Sequence, residues 1–240
     1  MITKNQIKLI KSLSLKKNRD KHNLFIAEGP KIVDELLKSE ITLKTLYSTS
    51  ENYTSINRSV LINSMELKKI SNFKSPNNVL ALFEIPNAKK IDFKSNIIAL
   101  DEIKDPGNFG TIIRLCDWFG IKDIICSENS VDCYNPKVIQ SSMGSISRVN
   151  ISYMSFDDVF SKNLNLVASD IKGTNINEYK FNKNQVIFFG NESNGLSQKV
   201  LTEVRNKITI PRYTEKIESL NLASSVSIVL SELKKKITEM

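Results

Sequence analysis

The first third of the chain carries short apolar runs separated by polar, lysine-rich segments. Apolar residues recur at helical spacing between Lys4 and Leu15, which predicts an amphipathic helix there. The basic stretch 16–21 lacks this period and is predicted to be a loop. Further along, apolar runs predict the four short strands and one helix of a small α/β unit. The predicted strands are 24–26, 43–48, 60–62 and 79–83, and the helix is 32–37.

From residue 96 the pattern changes to apolar runs that alternate with helical periods. Strands are predicted at 97–100, 124–126, 166–168, 186–189 and 208–210, and helices at 109–119, 136–142, 198–204 and 222–235. Strands alternating with helices predict a mostly parallel sheet covered on both faces, so the fold class is α/β. The irregular stretch 85–95 separates the two patterns, and we expect two domains, residues 1–90 and residues 91–240.

Composition excludes several classes of protein. The chain has 240 residues, of which 40% are hydrophobic and 25% charged, as in a globular protein that can bury a core. It lacks an apolar run of about 18 residues, so we expect neither a membrane span nor a secretory signal. The three cysteines are too few and too irregularly spaced for a zinc site, and their odd number argues against a disulfide framework. We expect a reduced, cytoplasmic protein without a metal and without membrane association.

The net charge of +8 is distributed unevenly. Residues 1–90 hold 16 Lys or Arg against 8 Asp or Glu, whereas the remainder holds 18 against 18. A basic surface confined to the first domain is typical of contact with a phosphate backbone, and it makes RNA the expected partner. The alternative is a solvated basic face that has no partner.

Glycine is concentrated in the second part, since seven of the eight glycines lie after residue 100. Three segments there combine glycine or proline with polar side chains. They are DPGNFGTIIR at 105–114, FFGNESNGLS at 188–197, and IPR at 210–212 with ESLNLA at 218–223. The G-x-G-x-x-G signature of a dinucleotide-binding fold is absent, so any cofactor is held in another way.

In this order and at these separations, the three segments resemble the motifs of the SpoU branch of the knotted methyltransferases, over about residues 96–235. The resemblance implies an S-adenosylmethionine-dependent RNA methyltransferase that acts on a ribose 2′-hydroxyl. It also implies a C-terminal trefoil knot and a homodimer with cofactor sites near the interface. The first 85 residues resemble a small α/β RNA-binding domain often attached to this catalytic domain, which favours ribosomal over transfer RNA.

The resemblance places S-adenosylmethionine against the backbone at Gly190, Ile210 and Leu220. The residues themselves support a cofactor loop, because Gly190 and Gly195, on either side of Asn191, permit a close backbone approach or a positive φ. Ile210 lies just past a predicted strand, where its side chain could form one wall of an adenine slot. The alternative is that residues 191–195 are only a turn between a strand and a helix.

The resemblance places Arg114 next to the target hydroxyl. A guanidinium stays protonated in proteins, so we expect Arg114 to stabilise the developing alkoxide and to hold the adjacent phosphate. Glu192 is predicted to hold Arg114 in a bidentate pair, while Asn108, Ser219 and Asn221 fix the loops or contact the substrate. The alternatives are a surface arginine at 114 and helix caps at 219 and 221.

The spacer from Pro211 to Ser219 departs from the family pattern, because it is about one residue longer than in many members and lacks glycine. The only histidine, His22, lies outside the predicted catalytic domain, which leaves that domain without an imidazole base. The last predicted helix has an apolar face flanked by small residues, suited to packing within the chain or against a second copy. The main alternative function is a non-catalytic RNA-binding protein on the same scaffold; the joint presence of the predicted catalytic side chains favours the enzyme.

Overall fold

The computed structural model describes residues 2–214, 216–217 and 219–238. The chain forms two compact units, Met1–Asn87 with Asp132–Ser147, and Ala88–Val131 with Arg148–Met240. The chain therefore leaves the second unit after Val131 and returns to it at Arg148. The division at residue 90 expected from the sequence does not include this excursion of residues 132–147. The assignment of separate functions to residues 1–90 and 91–240 stays a prediction.

The helices and strands follow one another along the chain in this order. The first half contains α1 (Lys4–Ser12), α2 (Lys16–His22), β1 (Leu24–Glu28), α3 (Pro30–Leu37), β2 (Leu43–Ser48), β3 (Ser59–Leu61), α4 (Ser64–Ile70) and β4 (Val79–Glu84). The second half contains β5 (Ile97–Leu100), α5 (Pro106–Trp118), β6 (Asp123–Cys126), α6 (Pro136–Ser142), β7 (Asn150–Tyr153), α7 (Asp157–Phe160), β8 (Asn165–Asn175), β9 (Gln185–Phe189), α8 (Gln198–Glu203), β10 (Asn206–Thr209) and α9 (Leu222–Thr238). Short 3-10 helices lie at Glu51–Tyr53 and Ser145–Ser147.

The first unit is built on a four-stranded sheet of order β1-β4-β2-β3, in which only β2 and β3 are parallel. The predicted loop at 16–21 is wrong, because these residues form α2. This helix is held by a buried arginine, Arg19, rather than by an apolar face, so the spacing of apolar residues does not predict it. Arg19 is 2% exposed and donates to the carbonyls of Leu13 and Ser14 and, from Nε at 2.8 Å, to the carboxylate of Asp132.

Asp132 begins the excursion that completes this unit. The ring of Tyr134 lies 4.9 Å from that of Phe25 in β1, centroid to centroid, and α6 packs against the same strand. Gly144 has φ +92°, and a side chain there would place its Cβ 2.6 Å from Cβ of Glu35. The excursion is thus packed by a buried ion pair, a contact between two tilted aromatic rings and a close glycine contact.

The second unit is built on a six-stranded sheet of order β10-β8-β9-β5-β6-β7, in which every neighbouring pair is parallel. The predicted mostly parallel sheet is confirmed. Edge strand β7 was not predicted, because its four residues are all half-buried and include one aliphatic residue, Ile151. Strand β8 is longer than expected and pairs with β10 across a shift in register, from Lys207 opposite Ala168 to Ile208 opposite Thr174.

Helix α9 packs against α5 within the same unit. Its apolar residues Leu222, Val226, Val229, Leu230 and Leu233 are all buried by the chain itself. The apolar face predicted for the last helix is therefore used for packing within the chain. Across the described residues, we find no helix with the length and hydropathy needed to cross a membrane.

Candidate functional site

The three motif segments follow three strands of the parallel sheet. Strand β5 leads into the first segment, β9 into the second and β10 into the third. Because parallel strands end at the same edge of a sheet, their following loops emerge on one side. Leu100, the last residue of β5, lies directly opposite Phe189, the last residue of β9. The first two segments therefore start next to each other.

A chain of side-chain hydrogen bonds joins all three segments. Nδ2 of Asn221 donates to Oδ1 of Asn108 at 2.9 Å, and Nδ2 of Asn108 donates to Oε1 of Glu192 at 3.0 Å. Asn108 lies in the first turn of α5, where Asp105 caps the helix by accepting from the Asn108 backbone N–H at 2.7 Å. We call Asn221, Asn108 and Glu192 the amide relay. It brings together three of the five predicted catalytic residues.

The other two predicted catalytic residues lie outside the relay. Ser219 is exposed, and within the described ranges its side chain makes no hydrogen bond.

Asn221, a member of the relay, also caps α9, since its Oδ1 accepts from the Ser224 N–H at 3.2 Å. The helix-cap alternative is thus correct for Asn221, and the same side chain still reaches Asn108.

Arg114 is exposed on α5, six residues after Asn108. Six helical residues turn the side-chain direction by about 240°, so Arg114 and Asn108 project from different sides of the helix. The predicted bidentate pair with Glu192 is not formed between these described residues, because the Glu192 carboxylate accepts from Asn108 instead. The pair was predicted because Arg114 and Glu192 have opposite charges. It does not form because Arg114 projects from a different side of α5 than Asn108, which contacts Glu192.

Residues 190–196, which we call the glycine loop, close on themselves. Asn191 and Gly195 exchange backbone hydrogen bonds of 2.8 and 2.9 Å. The Asn191 side chain accepts from the N–H groups of Ser193 and Asn194 and donates to the carbonyl of Glu102 at 2.7 Å. The loop is therefore a defined turn that is also tied to the end of β5.

The two predicted cofactor glycines serve different purposes in this turn. A Cβ on Gly190 would lie 2.1 Å from the carbonyl carbon of Gly195, so Gly190 is required by the close approach of the loop's own backbone. Gly195 has open space around its Cα but adopts φ +67°, a conformation that side chains disfavour. The backbone conformation of the loop therefore explains why both positions are glycine.

The remaining predicted cofactor residues, Ile210 and Leu220, flank the segment that leads from β10 to α9. Ile210 is half-buried just beyond β10, and Leu220 is 51% exposed. Ile217 nearby in sequence is 57% exposed, so this segment presents uncovered apolar side chains of the kind that line an adenine slot. Glu215 and Glu218 of the spacer lie outside the described residues.

An open cleft of about 510 Å³ lies where the first two segments meet. Its lining residues are Glu102, Lys104, Asp105, Pro106, Asn191, Glu192, Ser193 and Asn194. Predicted residues Asn191 and Glu192 thus face a common space, whereas Ile210 and Leu220 are not part of its lining. Glu102 was not among the predicted site residues; its sequence signal is its position two residues after the buried strand β5, at the edge that carries the motifs.

Cys116 lies on the buried face of α5, and burial, with the nearby charge of Asp117, raises the pKa of its thiol, so it stays protonated. No group of three or more His, Cys, Asp or Glu placed to bind a metal ion occurs among the residues described.

Comparisons with known proteins agree with this geometry. The SpoU rRNA Methylase family model matches residues 95–231, and an MRM3-like substrate binding domain model matches residues 4–81. The chain is 26% identical to the 23S rRNA (guanosine(2553)-2′-O)-methyltransferase RlmP of Bacillus subtilis over 96% of this chain and 97% of that protein.

Solved structures extend the likeness to the whole chain. A TrmH-family protein from Porphyromonas gingivalis matches with TM-score 0.90 and 30% identity, covering 98% of this chain and 99% of that one. An AdoMet-bound rRNA methyltransferase from Sinorhizobium meliloti matches with TM-score 0.87 and 27% identity, covering 98% and 96%.

The different demands on the two glycines can be tested by substitution. Gly195→Ala should cost about 1–2 kcal/mol of unfolding free energy, because only its positive φ is strained. Gly190→Ala should cost more and open the turn, because its Cβ has no room against backbone atoms. Denaturant titration and hydrogen exchange of the Asn191 and Gly195 amides would measure both effects. Equal, small effects of the two variants would contradict this assignment.

Proposed function

Because this chain belongs to the SpoU rRNA methylase family, we propose that the edge carrying the three segments is the active site of an S-adenosylmethionine-dependent rRNA 2′-O-ribose methyltransferase. The observation that carries this proposal is the amide relay, in which Asn221, Asn108 and Glu192 join the three motif segments by hydrogen bonds. A non-catalytic RNA-binding protein would not need a side chain from each segment at one place. The activity named for the Bacillus relative and the AdoMet-bound neighbour support the same reaction.

We propose that the glycine loop and residues Ile210 and Leu220 hold the cofactor. The loop offers backbone groups on a fixed turn, and the segment after β10 offers uncovered apolar side chains against which an adenine can pack. When bound, S-adenosylmethionine supplies an electrophilic methyl group to the ribose oxygen. The protein's contribution is to align that oxygen and to exclude other acceptors.

The proposed catalytic side chains act without a histidine base, since His22 lies in the first unit. Asn108 has both polar atoms of its amide engaged, which fixes its orientation at the start of α5. The guanidinium of Arg114 donates to the ribose oxygen and the adjacent phosphate. The hydroxyl proton passes to a phosphate oxygen or to water. Ser219 is exposed and free to contact the RNA.

We propose that the enzyme is a homodimer that uses the exposed side of α5. Thr111, Arg114 and Trp118 recur at helical spacing and are exposed, and Trp118 is 84% exposed. A large exposed aromatic side chain is typical of an interface. Since Arg114 and Asn108 project from different sides of α5, a site that uses both side chains fits a dimer better than a single chain.

The C-terminal trefoil knot is also a proposal. Thr209 ends edge strand β10, whereas Asn221 donates to Asn108 at the start of α5, which follows the inner strand β5. The family resemblance implies the knot in this C-terminal part of the chain. An experimental structure that traces residues 205–238 would decide it.

We also propose a cytoplasmic location, supported by an rRNA substrate and by three buried cysteine thiols that form no disulfide. Localisation by fluorescence microscopy would check it.

We propose that the first unit recruits the RNA, since the substrate-binding domain model matches residues 4–81 and residues 1–90 carry the net charge of the chain. Lys4 and Lys8 are exposed on α1, and Lys17 and Lys21 are exposed on α2. Deleting residues 1–90 would be a poor test, because residues 132–147 belong to the same compact unit and would lose their partners. Substitutions in the full chain avoid that problem.

Arg114→Lys should lose methyl transfer by about 10²-fold or more, because lysine keeps the charge but not the planar fork that donates to two oxygens. Affinity for S-adenosylmethionine should not change. Single-turnover transfer to ribosomal RNA, with the 2′-O-methyl product identified, would measure the effect. Arg205→Lys, also exposed in the second unit, is the matched control. Normal rates in Arg114→Ala would remove Arg114 from the mechanism.

Replacing Lys4, Lys8, Lys17 and Lys21 together with glutamine should weaken RNA binding and flatten its salt dependence. Each lost phosphate contact lowers the slope of log K against log salt by about 0.7–0.9. Binding of S-adenosylmethionine should be unaffected. The control set carries four exposed lysines of the second unit, Lys94, Lys122, Lys180 and Lys235, changed in the same way. Equal loss of RNA affinity in both sets would contradict recruitment by the first unit.

The full chain should sediment at twice its mass of 27.2 kDa. Trp118→Glu should shift it toward the monomer, because a buried unpaired carboxylate at an interface is costly. Met65→Glu, at a 74% exposed site in the first unit, is the control and should remain dimeric. A wild-type monomer at micromolar concentration would rule out the dimer.

A further inference from the structure

Asp101 is a buried carboxylate that lies outside the proposed catalytic and cofactor residues. It directly follows Leu100 at the carboxyl end of β5 and is 4% exposed. Its Oδ2 accepts from the Ser197 N–H at 2.7 Å. Over the described part of the chain, no lysine or arginine pairs with it. A buried carboxylate without a cation is costly, so its hydrogen bond has to matter to the structure around it.

The two polar groups of Asp101 hold the two ends of the glycine loop. Its backbone N–H donates to the carbonyl of Phe189 at 2.8 Å, and Phe189 immediately precedes Gly190. Ser197, which donates to the carboxylate, immediately follows Leu196 and caps α8. One residue therefore fixes both the entry and the exit of the loop.

The next residue holds the middle of the loop. Glu102 has φ +55°, a conformation rare for a residue with a side chain, and its carbonyl accepts from Asn191 Nδ2 at 2.7 Å. Its N–H donates to Oγ of Ser127 at 2.7 Å, which stabilises this unusual backbone. Residues 101 and 102 together contact the loop at its entry, middle and exit.

We propose that Asp101 is a positioning residue for the glycine loop, setting the affinity for S-adenosylmethionine without touching the cofactor. The proposal rests on the proposed function, in which this loop binds the cofactor. Holding both ends limits the conformations open to the loop before binding, which lowers the entropic cost of binding. The carboxylate acts as a hydrogen-bond acceptor for one backbone N–H, and its charge is not required.

The test compares three full-length variants by calorimetry with S-adenosylmethionine. Asp101→Ala leaves the Ser197 N–H without its acceptor and should weaken binding by about tenfold or more. Asp101→Asn keeps an acceptor oxygen and should stay within about threefold of the wild type. Asp123→Ala is the matched control, because Asp123 is also 4% exposed in the same sheet and accepts from Asn150 at 2.7 Å. It should lose stability and keep its cofactor affinity.

Hydrogen exchange on the cofactor-free protein gives a second readout. Amides of residues 191–197 should exchange faster in Asp101→Ala and not in Asp123→Ala. Equal cofactor affinities for these two variants would overturn the role of Asp101. An Asp101→Asn variant as weak as Asp101→Ala would overturn the hydrogen-bond role in favour of a charge effect. If Gly190→Ala leaves cofactor affinity unchanged, the loop is not the cofactor site, and the proposed function fails first.

Discussion

Strands β5 and β9 are parallel neighbours in register, with Leu100 opposite Phe189, and the arrangement of the site depends on that pairing. A slip of one residue would turn each side chain of one strand to the other face of the sheet. Both strands are buried over their whole length, so the core fixes their alignment. The alignment places Asp101 beside Phe189 and Glu102 within reach of Asn191.

The sequence predicted this framework well because the buried strands of a parallel sheet are continuous apolar runs. The sequence did not predict elements that are stabilised by a single contact between residues far apart in the chain. Helix α2 has no apolar period and depends on Arg19, whose partner Asp132 is 113 residues away. Strand β7 lies at the sheet edge and is half-buried, so its alternation is weak. The packing of residues 132–147 with the first unit has no local signal either.

The candidate site shows the same limit at the level of side chains. The motif pattern selected Asn108, Glu192 and Asn221, but not the order in which they bond, since the partners are 84 and 113 residues apart. Opposite charges favoured a pair between Arg114 and Glu192. The phase of α5 directs Arg114 to another side, and an amide satisfies the carboxylate. The six-residue spacing of Asn108 and Arg114 along α5 can be read from the sequence. For predicting which of them contacts Glu192, this spacing is a better guide than charge.

The interactions that hold the proposed site together are mostly neutral amide and backbone hydrogen bonds, while Arg114 is left exposed. An exposed arginine suits a polyanionic substrate such as RNA. An arginine already paired with a carboxylate of the protein would have to give up that partner before it could bind a phosphate. The second unit also contains no histidine that could act as a general base. Methyl transfer at such a site has to gain its rate from placement of the ribose oxygen. Placement also needs a fixed methyl donor, and residues 101 and 102 hold the glycine loop that we propose binds that donor.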